Sequence, residues 1–167
     1  MIYIGIDPGL SGAVGIICDN PNMVLQVTVQ DTPTVLVEGE KTRRKYLVPA
    51  MANILSGFAG TNNPEGVLAI LENVHSMPKQ GVASSFCFGE GKGMWEGILA
   101  AYQIPTELVS PQRWKKAIMA DQGKEKSAAR FKAMALFPSM AEHLKLVKHD
   151  GRAEALLMAE YGRRLRK

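Results

Sequence analysis

No run of about 18 uncharged apolar residues occurs anywhere in the chain, so no membrane-spanning helix is expected. The first residues carry no basic stretch and turn straight into Gly-Ile-Asp-Pro-Gly, so no secretory leader is expected either. Cysteine is scarce: Cys18 and Cys87 are the only two, and they lack metal-ligand spacing. Both sit in apolar surroundings and are expected to be reduced, buried and inert, as suits a cytoplasmic protein. Lys and Arg are absent from the first 40 residues, which hold five acids: Asp7, Asp19, Asp31, Glu38 and Glu40. The net charge of +4 therefore hides a strongly basic remainder. Its basic clusters lie at Lys41-Arg43-Arg44-Lys45, Arg113-Lys115-Lys116, Lys124-Lys126-Arg130-Lys132 and Arg163-Arg164-Arg166-Lys167. That asymmetry suits a polyanion-facing side, or an ordinary solvated helix surface with a basic tail. No internal repeat or low-complexity segment appears. A chain of 167 residues with 46% apolar content is expected to form a single domain, 1–167, with a sizeable core.

Apolar β-branched runs predict strands at 2–7, 12–18 and near 23–30, joined closely enough for an antiparallel meander. The polar stretch 31–46 reads as a loop or mobile arm. A helix over 47–58 precedes a breaker, Asn62-Asn63-Pro64-Glu65-Gly66, and a strand at 67–72. After a loop at 73–83, residues 84–102 read as a helix despite Gly89, Gly91, Gly93 and Gly97. Glycine costs about 1 kcal/mol at a helix interior position, so these call for close approach by a neighbour or by DNA. A short fifth strand runs from Pro105 to near Val109. Ser110 is a natural N-cap with Pro111 at the first helical position. Helices follow at 111–119, 124–137 and 150–165. The element order is βββαβαβααα.

Four acids stand out against this pattern. Asp7 ends the run Ile2-Tyr3-Ile4-Gly5-Ile6, and Glu72 ends Val67-Leu68-Ala69-Ile70-Leu71. A carboxylate where a buried strand runs out is costly unless something cationic meets it. Asp150 and Glu154 are four apart at the head of a helix and share a face. An N-cap role for Asp150 is the simpler alternative, since acids favour the first helical turn. For Asp7 the alternative is a turn before Pro-Gly, and for Glu72 a hydrogen-bonded strand end. Hard oxygen ligands from several rigid elements suit Mg²⁺ or Mn²⁺. Taken together, the four predict a two-metal phosphodiester hydrolase, its ions about 3.5–4 Å apart.

Three segments carry a resemblance. Ile-Gly-Ile-Asp-Pro-Gly-Leu-Ser-Gly (4–12), Ile-Leu-Glu-Asn-Val (70–74) and the acids before Ala-Leu-Leu-Met-Ala (155–159) resemble RuvC-type Holliday-junction resolvases. Phe86-Cys87-Phe88-Gly89, Met94-Trp95 and Ser110-Pro111-Gln112-Arg113-Trp114-Lys115-Lys116 look like the compact RuvC-like branch of phages and bacteria. The resemblance implies an α/β RNase H-like fold, a mixed five-stranded sheet flanked by helices. It also implies a crossover junction endodeoxyribonuclease that binds Mg²⁺ or Mn²⁺, two per active site. The enzyme would be a homodimer that nicks four-way DNA symmetrically, in the cytoplasm of a bacterial or phage-infected cell. Asp7 and Glu72 match the first two ligands. Glu154 stands where the family usually has Asp. Asp150 lies near the remaining acid at a spacing of four instead of the usual three, with His149 the second candidate. Lys148, next to them, is placed to position a phosphate.

Other residues are candidates for DNA contact: His75, Lys79 and Lys92, and Gln112, Arg113, Lys115 and Lys116. For His75 the functional reading is base stacking and the plain one a surface-loop histidine. For the lysines it is phosphate neutralisation against solvated charge. Tyr46 and the 41–45 cluster are a DNA-touching arm or an unstructured loop. Trp95 and Trp114 are expected in the core or an interface. The glycine series is not Gly-x-Gly-x-x-Gly and follows no strand directly, so it is no dinucleotide site. Asp-Pro-Gly-x-Ser-Gly also resembles the first phosphate loop of actin-like sugar kinases, but those have two such domains and nothing in these 167 residues supplies a second lobe or adenosine loop. A broader branched-DNA nuclease for flaps or forks, and a non-cleaving branched-DNA-binding protein, are the remaining rivals.

Overall fold

The computed structural model describes residues 1–39, 42–60, 66–74, 81–121, 123, 125 and 127–166. Strands β1 (Ile2–Ile6), β2 (Ala13–Cys18) and β3 (Gln26–Asp31) form the expected antiparallel meander. The segment read as a loop over 31–46 is instead a separate hairpin, β4 (Thr34–Val37) with β5 (Arg43–Tyr46). Its strands are polar and mostly exposed, which is why their alternation does not register as a strand signal. Helix α1 (Val48–Leu55) runs into a 3₁₀ turn at Ser56–Phe58. Then follow β6 (Val67–Glu72), α2 (Val82–Ala101), β7 (Thr106–Val109) and α3 (Pro111–Ile118). Helix α4 (Ala128–Leu136) starts later than the 124 expected, and a short α5 (Ala141–Leu144) lies between two 3₁₀ turns. Helix α6 (Asp150–Leu165) closes the fold with the bounds its apolar period predicts.

The main sheet has the order β3-β2-β1-β6-β7, with β1 parallel to β6 and β6 parallel to β7. It is mixed and five-stranded, as expected. One face packs on α3, α4 and α6 through Trp114, Ala129, Ala133, Leu156 and Leu157. The other packs on α1 and α2 through Met51, Leu55, Trp95 and Leu99. Both tryptophans are therefore core residues. Cys18 and Cys87, expected to be buried, are half-buried and free. Of the four α2 glycines, only Gly91 meets a neighbour: a Cβ there would run into the Pro8 carbonyl and the Tyr46 hydroxyl. Gly89, Gly93 and Gly97 have no such contact among the described residues. No helix among the described residues is long and apolar enough to cross a membrane.

Candidate active site

Strands β1 and β6 are parallel, with Ile6 opposite Leu71. The next residues, Asp7 and Glu72, therefore stand level at the same end of adjacent strands. Such strands lie about 4.8 Å apart. Side chains alternate across a sheet, so both carboxylates share a face with Tyr3, Leu68 and Ile70. That is the face covered by α3 and α6. Asp7 closes a tight turn by accepting the Gly9 amide at 3.1 Å on Oδ1. Glu72 is only 7% exposed.

Helix α6 supplies the third carboxylate, from Glu154. Gly151, one turn earlier, lets the helix start lie against the Asp7 loop: a Cβ there would meet the Ser11 carbonyl and come within 3.0 Å of Asp7 Oδ2. Helix α3 supplies the positive charge. Its start is fixed where β7 ends, because Val109 pairs with Glu72 and Ser110 caps the helix by accepting the Arg113 amide at 3.3 Å. One turn on, the Trp114 indole donates from Nε1 to Glu72 Oε1 at 2.9 Å. The next residue, Lys115, places Nζ 2.7 Å from Glu154 Oε1 and 5.0 Å from the centre of the Trp114 ring.

The electrostatics follow from that crowding. Burial, then the Glu154 charge, push the Asp7 carboxyl up to about 7, against the Gly9 hydrogen bond. Burial also raises Glu72; the Trp114 hydrogen bond opposes it and the Glu154 charge adds to it. Burial works to lower Lys115, but contact with Glu154 and the charges of Glu72 and Asp7 hold it above its ordinary value. Three carboxylates thus share one neighbourhood with a single ammonium that contacts Glu154 alone, and two of them resist ionisation.

Asp150 lines the same cleft as Asp7 and Glu154, a space of about 660 Å³ that Lys148, Tyr46 and Phe88 also border. Its Oδ1 is already engaged by Arg130 Nε at 2.7 Å. Arg130 is buried and also donates to the Lys145 carbonyl at 3.2 Å. His149 is buried, and its Nδ1 accepts the Leu146 amide at 3.3 Å, capping the 3₁₀ turn before α6. Burial, then the neighbouring cations Arg152 and Lys148, push His149 below its ordinary value.

The remaining candidates are scattered. Lys92 pairs with Glu96 along α2 at 2.6 Å, and Arg113 with Glu107 at 3.4 Å. Gln112 and Lys116 are exposed on α3. His75 and Lys79 lie outside the described residues, as do Lys41, Lys124 and Lys126. Sequence reasoning placed Trp114 in the core but missed its hold on Glu72, and it counted Arg130 only as part of a basic cluster. The available signal for Trp114 was its place one turn after the Ser110 cap on a helix that starts beside Glu72.

Among the described residues, no three His, Cys, Asp or Glu side chains form a ready metal cluster. The donor set nevertheless fits a divalent cation: hard carboxylate oxygens from two buried strand ends and a partly exposed helix face, mutually repelling.

No family model matches the chain. The chain is 27% identical over 151 residues to the chloroplastic Holliday junction resolvase MOC1 of Chlamydomonas reinhardtii, a match covering 81% of this chain and 17% of that protein. The chain thus spans about a sixth of the length of the curated relative it matches. Among solved structures, RuvC of T. thermophilus in complex with a Holliday junction substrate superposes with a TM-score of 0.61 at 11% identity, covering 99% of this chain and 96% of that one. A second Thermus thermophilus RuvC structure gives 0.57 at 17% identity, over 98% and 96%. The chain has the RuvC, RNase H-like fold that the three motifs implied.

Proposed function

We propose that the chain is a metal-dependent, structure-selective DNA endonuclease that resolves Holliday junctions by paired symmetric nicks, acting as a homodimer. The observation that carries this reading is the grouping of the Asp7, Glu72 and Glu154 charges at one end of the sheet, close enough to raise the Asp7 and Glu72 carboxyls, with Lys115 paired to Glu154. Support comes from a relative that is a Holliday junction resolvase and from a fold shared with a RuvC seen on a Holliday junction substrate.

Asp7, Glu72 and Glu154 would hold the Mg²⁺ or Mn²⁺ ions, with Asp150 at the rim. When bound, such ions supply Lewis acidity toward phosphate oxygens and charge for the leaving oxygen. The chain's own residues do the positioning. Asp7 and Glu72 are fixed by strand pairing and cannot splay apart. The Trp114 N–H holds one Glu72 oxygen and leaves the other available as a ligand. Lys115 balances the acids before substrate arrives; its ammonium then turns from Glu154 to a phosphate oxygen. Lys148, exposed on the cleft border, takes a neighbouring phosphate.

The test is incubation of the purified protein with Mg²⁺ or Mn²⁺ and labelled four-way junction, fork, flap and linear duplex. Paired nicks confined to the junction are expected. Equal cutting of linear duplex overturns the reading, cutting of forks and flaps as well as junctions makes it a broader branched-DNA nuclease, and binding without cutting makes it a recognition protein. Asp7→Asn and Glu72→Gln are expected to abolish cleavage and retain junction binding.

A further inference from the structure

The β4–β5 hairpin lies outside the five-stranded sheet, and its two faces differ in chemistry. Its register pairs Thr34 with Tyr46, Val35 with Lys45, Leu36 with Arg44 and Val37 with Arg43. Alternation puts Arg44 and Tyr46 on one face, Arg43 and Lys45 on the other.

The first face is anchored. Arg44 donates to the Leu10 carbonyl at 2.6 Å and to Ser11 Oγ at 3.3 Å. The Tyr46 hydroxyl, buried under α2, donates to the Pro8 carbonyl at 3.1 Å. All three acceptors lie in the loop that directly follows Asp7. The hairpin is thus tied at its base to the segment that carries the first acid of the site.

The second face is cationic and free. Arg43 and Lys45 are exposed and have no ion pair or side-chain hydrogen bond among the described residues. The residues opposite them, Val35 and Val37, bring no negative charge. Among the described residues, most other cations are paired within the protein: Arg130 with Asp150, Lys132 with Asp121, Arg152 with Asp31, and Arg163 and Arg164 with Glu160. Two residues along a strand are about 6.8 Å apart, a spacing that lets two long basic side chains reach successive phosphates of one strand.

We infer that the β4–β5 hairpin is a DNA-backbone arm: Arg43 and Lys45 grip phosphates of the duplex leaving the cleft, while Arg44 and Tyr46 fix the arm to the Asp7 loop. This rests on the reading of the site as a DNA nuclease. The contact is to phosphate alone, so it adds affinity and registers the strand over the acids without reading its sequence.

The double variant Arg43→Gln/Lys45→Gln tests it, measured by fluorescence anisotropy on a labelled four-way junction across a salt series, in an Asp7→Asn background that prevents cutting. Loss of two phosphate contacts is expected to lower the slope of log affinity against log salt by about 1.8. Affinity at low salt is expected to fall about tenfold or more. Lys145→Gln removes an exposed, Glu142-paired lysine and is expected to leave the slope unchanged. An unmoved slope in the double variant, or an equal drop in Lys145→Gln, overturns the inference. If the unsubstituted protein binds and cuts junctions while the double variant is unaffected, the arm fails and the nuclease reading stands. If the unsubstituted protein binds no junction, both fall.

Discussion

Asp7 is a carboxyl that folding makes harder to ionise, and this reverses the usual dependence of stability on pH. Burial and the Glu154 charge move it from 3.8 up to about 7. Between those values the folded protein keeps a proton that the unfolded chain releases. Stability then falls as pH rises, since the native state binds more protons. Asp7's contribution is full below about pH 4 and lost by about pH 7. At about 1.4 kcal/mol per pH unit the gap amounts to about 4 kcal/mol. Glu72 and Glu154 share the repulsion and Lys115 offsets part of it, so about 2–4 kcal/mol is expected. Asp7→Asn keeps the Oδ1 acceptor for the Gly9 amide and removes the charge. Urea unfolding in EDTA at pH 4.5, 6.0 and 7.5 reads the difference between variant and parent. The variant is expected to gain on the parent by about 2–4 kcal/mol across that range. Mg²⁺ at pH 7.5 is expected to stabilise the parent more than the variant, because a divalent ion supplies the missing counter-charge. A difference that stays flat with pH, or an Asn variant that loses ground as pH rises, refutes the reasoning.

Other substitutions probe the supports around the acids. Trp114→Phe removes the N–H on Glu72 but keeps a ring beneath Lys115; losing a hydrogen bond to a carboxylate costs about 1.5–3 kcal/mol. Junction cleavage is therefore expected to fall about 10- to 100-fold, with weaker Mn²⁺ binding by calorimetry and junction affinity nearly unchanged. Gly151→Val drives a side chain into the Ser11 carbonyl. It is expected to lower stability by about 1–3 kcal/mol and to weaken Mn²⁺ binding, read by thermal melts and calorimetry. Glu160 behaves oppositely to Asp7: burial works to raise it, but hydrogen bonds from Arg163 and Arg164 hold it below its ordinary value. Its contribution is present above pH 4.5 and lost as pH falls below that, so Glu160→Gln is expected to flatten the acid limb of a stability profile.

The parts of the fold legible in the sequence were those in which local pattern and tertiary placement agree. Asp7 and Glu72 each end a short apolar run, and parallel pairing of those runs is enough to bring them level. The Ser110-Pro111 start of α3 and the bounds of α6 follow from capping chemistry and apolar period. The hairpin at 34–46 was not legible, because Arg43, Arg44 and Lys45 in succession read as solvated loop. Their order comes from pairing with β4 and from the Arg44 side chain, whose hydrogen bonds reach residues more than thirty positions away. The Trp114–Glu72 bond spans 42 residues and the Arg130–Asp150 pair 20, beyond any local spacing rule. The Glu160 cluster is different: its arginines follow at three and four residues, a helical spacing visible in the chain. Read only as a basic tail, they are in fact partners of a buried acid.

The four acids fall into two pairs by how the protein neutralises them. Glu154 has Lys115 and Asp150 has Arg130, both cations delivered by helices on the same side of the sheet. Asp7 and Glu72 have no cation in contact among the described residues; a backbone amide and an indole N–H serve them, and both carboxyls are raised. On the proposed reading, a divalent ion entering the cleft would therefore meet two kinds of competitor. At Asp7 it would displace a proton, so its binding would strengthen as pH rises toward and past 7. At Glu154 and Asp150 it displaces an ammonium and a guanidinium, which pH does not remove near neutrality. Arg130 is buried and held by a backbone carbonyl as well, whereas Lys115 is a half-exposed flexible arm. Lys115 is thus the more easily displaced cation, so on the proposed reading Glu154 would be the α6 carboxylate to join Asp7 and Glu72, while Asp150 stays paired with Arg130.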